Sequence, residues 1–201
     1  MSVDCLVWDG LAPAPPSVRG RCLSIGNFDG VHRGHAELIR RLGDQARGLE
    51  TSGVAVTFDP HPVTLLRPEY SPPLLTTTAD KVRALNAAGA ATVLVLQTSA
   101  DLLRLGAADF YRQVLQEGLA VRGLVEGHNF CFGKNRQGTV AVLQELAGAD
   151  GVPVDVVQPV MVDGSPVSSS RIRELLQQGD VAAANVLLGR PYGIAGQVVM
   201  G

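Results

Sequence analysis

Short, largely β-branched apolar runs alternate with amphipathic stretches along most of this chain. Residues 21–28 (RCLSIGNF) read as a buried strand ending in a glycine turn. In residues 35–49, Leu38, Ile39, Leu42 and Ala46 fall on one helical face. Residues 53–58 (GVAVTF) form the next strand, stopped by Pro60 and Pro62, because proline cannot donate to a strand ladder. A proline-containing loop leads to a helix over 78–88. The pattern continues as strand 91–96, helix 107–117, strand 121–125, helix 139–147, strand 152–157 and helices 170–178 and 180–188. Residues 10–18 (GLAPAPPSV) are too proline-rich for a helix. Continuous apolar strands alternating with helices are the sequence form of a parallel sheet covered on both faces. The pattern predicts a Rossmann-like, doubly wound α/β domain with a parallel sheet of about five strands. Such sheets bind ligands in the loops after the carboxyl ends of their strands.

Composition narrows the partners. The 201 residues suit one domain, and 46% hydrophobic against 18% charged residues suits a packed core. Seventeen Lys and Arg against 19 Asp and Glu leave a formal charge of −2, so no broad field attracts nucleic acid or anionic lipid. Phosphate recognition, if present, is local. Cys5, Cys22 and Cys131 are odd in number and never at metal-ligand spacing, which argues against a disulfide scaffold or a zinc ribbon. The N-terminus has no basic start followed by an apolar stretch, and no run reaches the length of a membrane span. The expectation is a soluble cytoplasmic protein.

Four loops carry candidate chemistry. The first, Gly26-Asn27-Phe28-Asp29-Gly30-Val31-His32-Arg33-Gly34-His35, joins a strand to a helix. Its glycines permit tight turns and close approach to a ligand, and His32 and His35, three residues apart, point the same way. A helix N-terminus with two imidazoles is suited to a phosphate chain, although a plain helix cap with surface histidines is the alternative. The second loop, Asp59-Pro60-His61-Pro62, holds His61 between prolines in an extended backbone, as a structural turn also would.

The third loop, residues 126–136, is a near miss for a P-loop. Five residues rather than four separate Gly127 from Gly133, and Asn135 stands where Ser or Thr would hold magnesium. It offers Phe130 and Phe132 for stacking, or for the core, Asn129 for polar edges, and Lys134 and Arg136 for anions. The fourth, Ser168-Ser169-Ser170-Arg171-Ile172-Arg173, opens a helix with hydroxyls and guanidiniums, which serves either as a cap or as an anion site.

These strings, in this order, resemble the FMN adenylyltransferase (FAD synthetase) module of bacterial bifunctional riboflavin kinase/FAD synthetases, a flavin branch of the nucleotidyltransferase superfamily with the HUP-type fold. The first loop is similar to GxFDGxHxGH, the second to TFDPHP, the third to GxDFxFGxxRxG and the fourth to (S)STxIR, with Ser170 in place of Thr. The resemblance implies the reaction FMN + ATP → FAD + pyrophosphate. It assigns His32, His35 and Arg173 to catalysis and Gly26, Asn27, Phe28, Asp29, Gly30, Gly34, Ser169 and Ser170 to ATP. Asp59, His61, Asn129, Phe130, Phe132 and Arg136 go to the flavin. Asp29 is expected to orient its loop or a metal-bound water rather than to act as a base. Mg²⁺ is expected on the phosphates, with no direct protein ligands.

Two departures stand out. Residues 97–105 (QTSADLLRL) lack the aromatics of the family's FDxxFA segment, and no GFPTAN-type riboflavin kinase motif follows. The expected division is a Pro-rich segment over 1–20, an adenylyltransferase domain over 21–190, and the start of a kinase module over 191–201 that is otherwise absent, whether through truncation or loss. Three other readings stay open. They are a relative adenylating phosphopantetheine or a nicotinate nucleotide, a catalytically silent FMN- or ATP-binding module, and a metallohydrolase built on Asp29, His32, His35, Asp59 and His61.

Overall fold

A computed structural model describes residues 5–194 and 196. Its centre is a six-stranded, all-parallel sheet in the order β1-β4-β3-β2-β5-β8. The strands are β1 (Cys5–Trp8), β2 (Cys22–Ile25), β3 (Gly53–Asp59), β4 (Thr92–Gln97), β5 (Gly123–Gly127) and β8 (Val154–Val157). Five of them are the strands the periodicity predicts. The sixth, β1, lies in the stretch expected to precede the domain, yet it pairs with β4 from Cys5↔Val93 to Trp8↔Leu96. It is short and only Trp8 is buried, so it carries little hydrophobic pattern.

The helices in chain order are α1 (Arg33–Gly48), α2 (Pro62–Leu66), α3 (Thr78–Ala87), α4 (Ala100–Arg104), α5 (Ala107–Asp109, continued by a π-helical stretch Phe110–Gly118), α6 (Val140–Ala149), α7 (Ser169–Gln177) and α8 (Val181–Leu188). Two hairpins complete the fold: β6 (Cys131–Phe132) with β7 (Gly138–Thr139), and β9 (Met161–Val162) with β10 (Ser165–Pro166). The short pieces α2, α4 and both hairpins have too few residues for a periodic signal. No helix among the described residues is long and apolar enough to cross a membrane. The division expected at 191–201 falls mostly outside the described residues.

Alternate strand residues feed two cores. Leu23, Ile25, Val54, Val56, Leu94, Leu96 and Leu124 face the layer of α5 and α6, while Cys22, Ala55, Val93, Val95 and Val125 face α1 and α3. Ile39, Leu42 and Ala46 are the buried face of α1. Each large side chain so buried contributes roughly 1.5–3 kcal/mol. The chain winds from β2 through β3 to β4 on one side and from β5 to β8 on the other. Right-handed crossovers therefore place the two helix layers on opposite faces. A third, smaller core of Leu75, Val167, Ile172, Ala184, Leu187 and Leu188 seats α7 and α8 against the 75–76 segment.

The strand order reverses between β2 and β5, and there the sheet opens. β2 pairs with β5 only at Cys22↔Gly123 and Leu23↔Leu124, whereas its pairing with β3 runs on to Ile25. The Ile25 N–H donates instead to Oε1 of Glu126 at 2.8 Å. Glu126 is fully enclosed, and burial pushes its carboxyl pKa well above the ordinary 4.5, with the Ile25 bond acting weakly in the other direction. A buried carboxyl group thus replaces the missing strand carbonyl at the topological switch point.

Glu126→Ala should cost about 2–4 kcal/mol, from a cavity and an unpaired N–H, while Glu126→Gln keeps an acceptor and should cost far less. The raised folded pKa means that the unfolded chain releases this proton first, so wild-type stability falls as pH rises above the unfolded value. Urea unfolding at pH 5 and pH 8 should show Glu126→Gln gaining on the wild type at the higher pH. An unchanged difference would place an ionised carboxylate at this position.

Candidate active site

The loop after β2 closes directly on α1. His32 is the N-cap: its Nδ1 accepts the His35 backbone N–H at 3.3 Å. That bond leaves the neutral His32 with its proton on Nε2. The two imidazoles stack with centroids 3.6 Å apart and planes 15° from parallel, and Phe28 meets the His35 ring edge-on at 5.2 Å. Burial lowers the His32 pKa to about 4. His35 is pushed well below 6.5 by burial first and by the neighbouring His32 and Lys81 second. Its Nδ1 is buried without a protein partner. The site therefore holds two uncharged imidazoles at a helix N-terminus. Gly34 lets the His32 ring pack closely, since a Cβ there would stand 3.1 Å from its Cε1 and the ring would have to shift by a few tenths of an ångström.

Asp29 ties this loop to two others. Its carboxylate accepts the Leu75 N–H (3.0 and 3.1 Å), the Thr76 N–H (3.2 Å) and the Thr76 hydroxyl (3.1 Å), and it pairs with Nη2 of Arg173 at 2.6 Å. Its backbone carbonyl accepts the Ser169 hydroxyl at 2.8 Å. Arg173, assigned to catalysis by the resemblance, also donates from Nε to the Pro73 carbonyl at 2.8 Å, so two of its three nitrogens are engaged within the fold. Arg190 clamps the other side, donating to the carbonyls of Val31 (2.8 Å) and Gly30 (2.6 Å). These bonds hold a strained backbone: Phe28 and Val31 have φ of 47° and 40°, a conformation costing about 1–3 kcal/mol each for side chains of this kind.

The second loop lies beside the first. Thr57 at the end of β3 donates to the Asn27 carbonyl at 3.1 Å, and Asp59 accepts the Thr78 hydroxyl at 3.0 Å. His61 caps α2 through Nδ1, accepting the Val63 N–H at 3.2 Å, and burial lowers its pKa. In the fourth loop the serines divide the work. Ser168 caps α7 by accepting the Arg171 N–H at 3.2 Å, Ser169 bonds Asp29, and Ser170 is exposed. The first and fourth loops therefore meet through direct bonds, and Thr57, two residues before the second loop, ties β3 to the first.

The third loop is arranged differently. Phe130 and Phe132 stack at 5.6 Å, but Phe132 is buried against Phe110 at 5.9 Å and packs as a core residue. Asn129 and Arg136 are exposed, and Phe130 is partly so. The site reading from sequence omitted Thr76, Arg190, Glu126 and Lys81. Thr76 and Lys81 sit in the TTTADKV stretch and Arg190 in GRPYG, where no local pattern says which distant carbonyl or carboxylate a side chain will meet.

A doubly wound parallel sheet, open at its switch point and carrying stacked imidazoles at the next helix N-terminus, is the form of a Rossmann-like α/β domain whose loops at the strand ends are suited to a ligand. The family model described as FAD synthetase matches residues 14–171. The bifunctional riboflavin kinase/FMN adenylyltransferase of Pseudomonas fluorescens is 38% identical over 192 residues, covering 96% of this chain and 61% of the relative. That of Escherichia coli K12 is 34% identical over 191 residues, covering 95% and 60%. Among solved structures, one described as a macrolide-efflux protein from Streptococcus pneumoniae superposes with a TM-score of 0.80 at 25% identity, covering 94% of this chain and 60% of that one. The chain belongs to the FAD synthetase family. It spans about three-fifths of the curated relatives it matches.

His32→Asn keeps a capping acceptor and removes the titration. Between pH 6.5 and about 4 the unfolded chain binds a proton at His32 that the folded chain refuses, so wild-type stability falls across that window. Relative to His32→Asn, the wild type should lose on the order of 2 kcal/mol between pH 7.5 and 4.5, read by urea unfolding. Parallel curves would mean that His32 is protonated within the fold.

Proposed function

We propose that this chain is an FMN adenylyltransferase, transferring AMP from ATP to FMN to give FAD and pyrophosphate. The observation that carries the reading is the stacked, uncharged His32–His35 pair at the start of α1, joined through Asp29 to the serine-capped start of α7. An FMN phosphate oxygen forms a bond to the α-phosphorus of ATP, the bond from that phosphorus to the bridging oxygen breaks, and pyrophosphate leaves. Nothing in this scheme needs a covalent enzyme intermediate. The residues position two anions and donate to the charge that builds on the transferring phosphorus.

In this reading the Nε2–H of His32 and the His35 ring donate to phosphate oxygens, with Ser169, Ser170, Gly26, Asn27, Gly30 and Gly34 lining the ATP side. Arg173 keeps Asp29 in place and offers its remaining nitrogen to the triphosphate. Phe28 backs His35. Asp59, His61, Asn129, Phe130 and Arg136 hold the flavin end, and Phe132 supports Phe130 from the core. Asp29 is fully engaged by Leu75, Thr76 and Arg173, so it cannot serve the zinc-hydrolase alternative as a ligand without dismantling the loop. Mg²⁺ enters as part of the substrate MgATP, a role that suits a donor set of imidazoles and hydroxyls. FMN would come from a riboflavin-phosphorylating activity, which the names of the relatives carry alongside the adenylyltransferase. Free cysteines at 5, 22 and 131 support a reducing, cytoplasmic setting.

Incubation with FMN and MgATP, followed by chromatography of the flavins, should yield FAD and equimolar pyrophosphate, with no adenylated product when riboflavin replaces FMN. FMN or ATP binding without FAD would leave a silent module, and adenylation of phosphopantetheine or a nicotinate nucleotide instead would redirect the substrate. His32→Ala and His35→Ala should each cut turnover at least about tenfold, as expected for loss of one well-placed donor. Full activity in both would remove the phosphate site from α1.

A further inference from the structure

Lys81 is a buried cation without an anion. It lies in the second turn of α3 and is only 4% exposed. Its Nζ has a single protein partner, the Thr57 hydroxyl at 3.4 Å, a long bond for an ammonium that carries three donors. Among the described residues it forms no ion pair. The carboxylates near enough to act on it are Asp29 and Asp59, and each is already engaged, Asp29 by Arg173 and Asp59 by Thr78. Burial lowers its pKa, with those two carboxylates opposing the shift. An ammonium held in this way costs several kcal/mol in desolvation unless a counter-charge reaches it.

The surroundings say what kind of counter-charge fits. Thr57, which receives Nζ, passes its own proton to the Asn27 carbonyl, so Lys81 sits directly behind the loop that leads to His32. Its charge is felt by both His35 and His61. His35 lies in the first turn of α1, on the side read as ATP, and His61 caps α2, on the side read as flavin. Lys81 is thus a buried cation tied through Thr57 to the first loop and close enough to act on histidines of both halves of the site.

We propose that Lys81 is a phosphate-binding residue of this site, its ammonium receiving a phosphate oxygen at the point where the two substrates join. The assignment rests on the adenylyl-transfer reading for the identity of the substrates, but not for the existence of the anion site. The phosphate could belong to FMN or to ATP, and the two are separable by binding.

The test compares the full chain with Lys81→Met, which keeps the length of the side chain and removes the charge. FMN and riboflavin affinities are measured by flavin fluorescence and tripolyphosphate affinity by calorimetry, alongside FAD formation and urea unfolding. Lys81→Met should be at least as stable as the wild type, because an unpaired buried charge is replaced by an apolar chain. Activity should fall about 100-fold, the usual scale for losing a buried charged donor to a reacting phosphate. If the FMN phosphate is the ligand, the preference for FMN over riboflavin should collapse about tenfold or more; if ATP supplies it, tripolyphosphate affinity should fall by a similar factor. Unchanged FMN preference together with unchanged tripolyphosphate affinity would overturn the proposal, whatever happens to activity. A wild type that makes no FAD yet binds tripolyphosphate through Lys81 would keep the anion site and remove the adenylyltransferase.

Discussion

The Asp29 carboxylate is the joint on which the candidate site hangs. It receives the backbone of Leu75 and Thr76, the Thr76 hydroxyl and the Arg173 guanidinium, and it does so while 98% hidden from solvent. Removing one partner of such a pair leaves a buried charge uncompensated, typically at about 3–5 kcal/mol. Three separate stretches therefore share one electrostatic fate: the loop after β2, the segment before α3 and the start of α7. The small core under α7 and α8 is positioned by the same joint, since Leu75 belongs to both.

That joint makes the local strain intelligible. Positive φ at Phe28 and Val31 is unfavourable for residues with a Cβ, most of all for a β-branched one. The loop keeps this shape because its neighbours over-determine it: Asp29 on one side, the two carbonyl bonds from Arg190 on the other, and Thr57 at Asn27. The result is an N-cap histidine held with Nδ1 turned inward and Nε2 carrying the proton. Its ring rests against a second imidazole rather than waving in solvent. A donor fixed in advance loses little entropy when a phosphate arrives.

Charge in the site is distributed unusually. Burial lowers the pKa of both histidines and raises that of the Glu126 carboxyl, and Asp29 is paired with Arg173, so the charges around the first loop are largely compensated within the fold. An arrangement of this kind would suit anions that must approach one another, since a helix N-terminus favours negative charge.

Much of this was readable from the residues. Strands β2, β3, β4, β5 and β8 and helices α1, α3, α5, α6, α7 and α8 follow from apolar periodicity, because each buries a face whose spacing matches its own geometry. The glycines, histidines and serines of the first and fourth loops announce themselves as local strings, since a helix N-terminus recruits its cap from adjacent residues. β1 did not announce itself. Its partner β4 lies more than eighty residues away, and four residues of which only Trp8 is buried are too short a run to show a period. Nor could sequence say that Arg173 would turn to Asp29, that Phe132 would join the core beside Phe110, or that Glu126 would replace a strand carbonyl. Those outcomes depend on which distant backbone or charge a long side chain reaches once the sheet has twisted open, a distance set only by the tertiary fold.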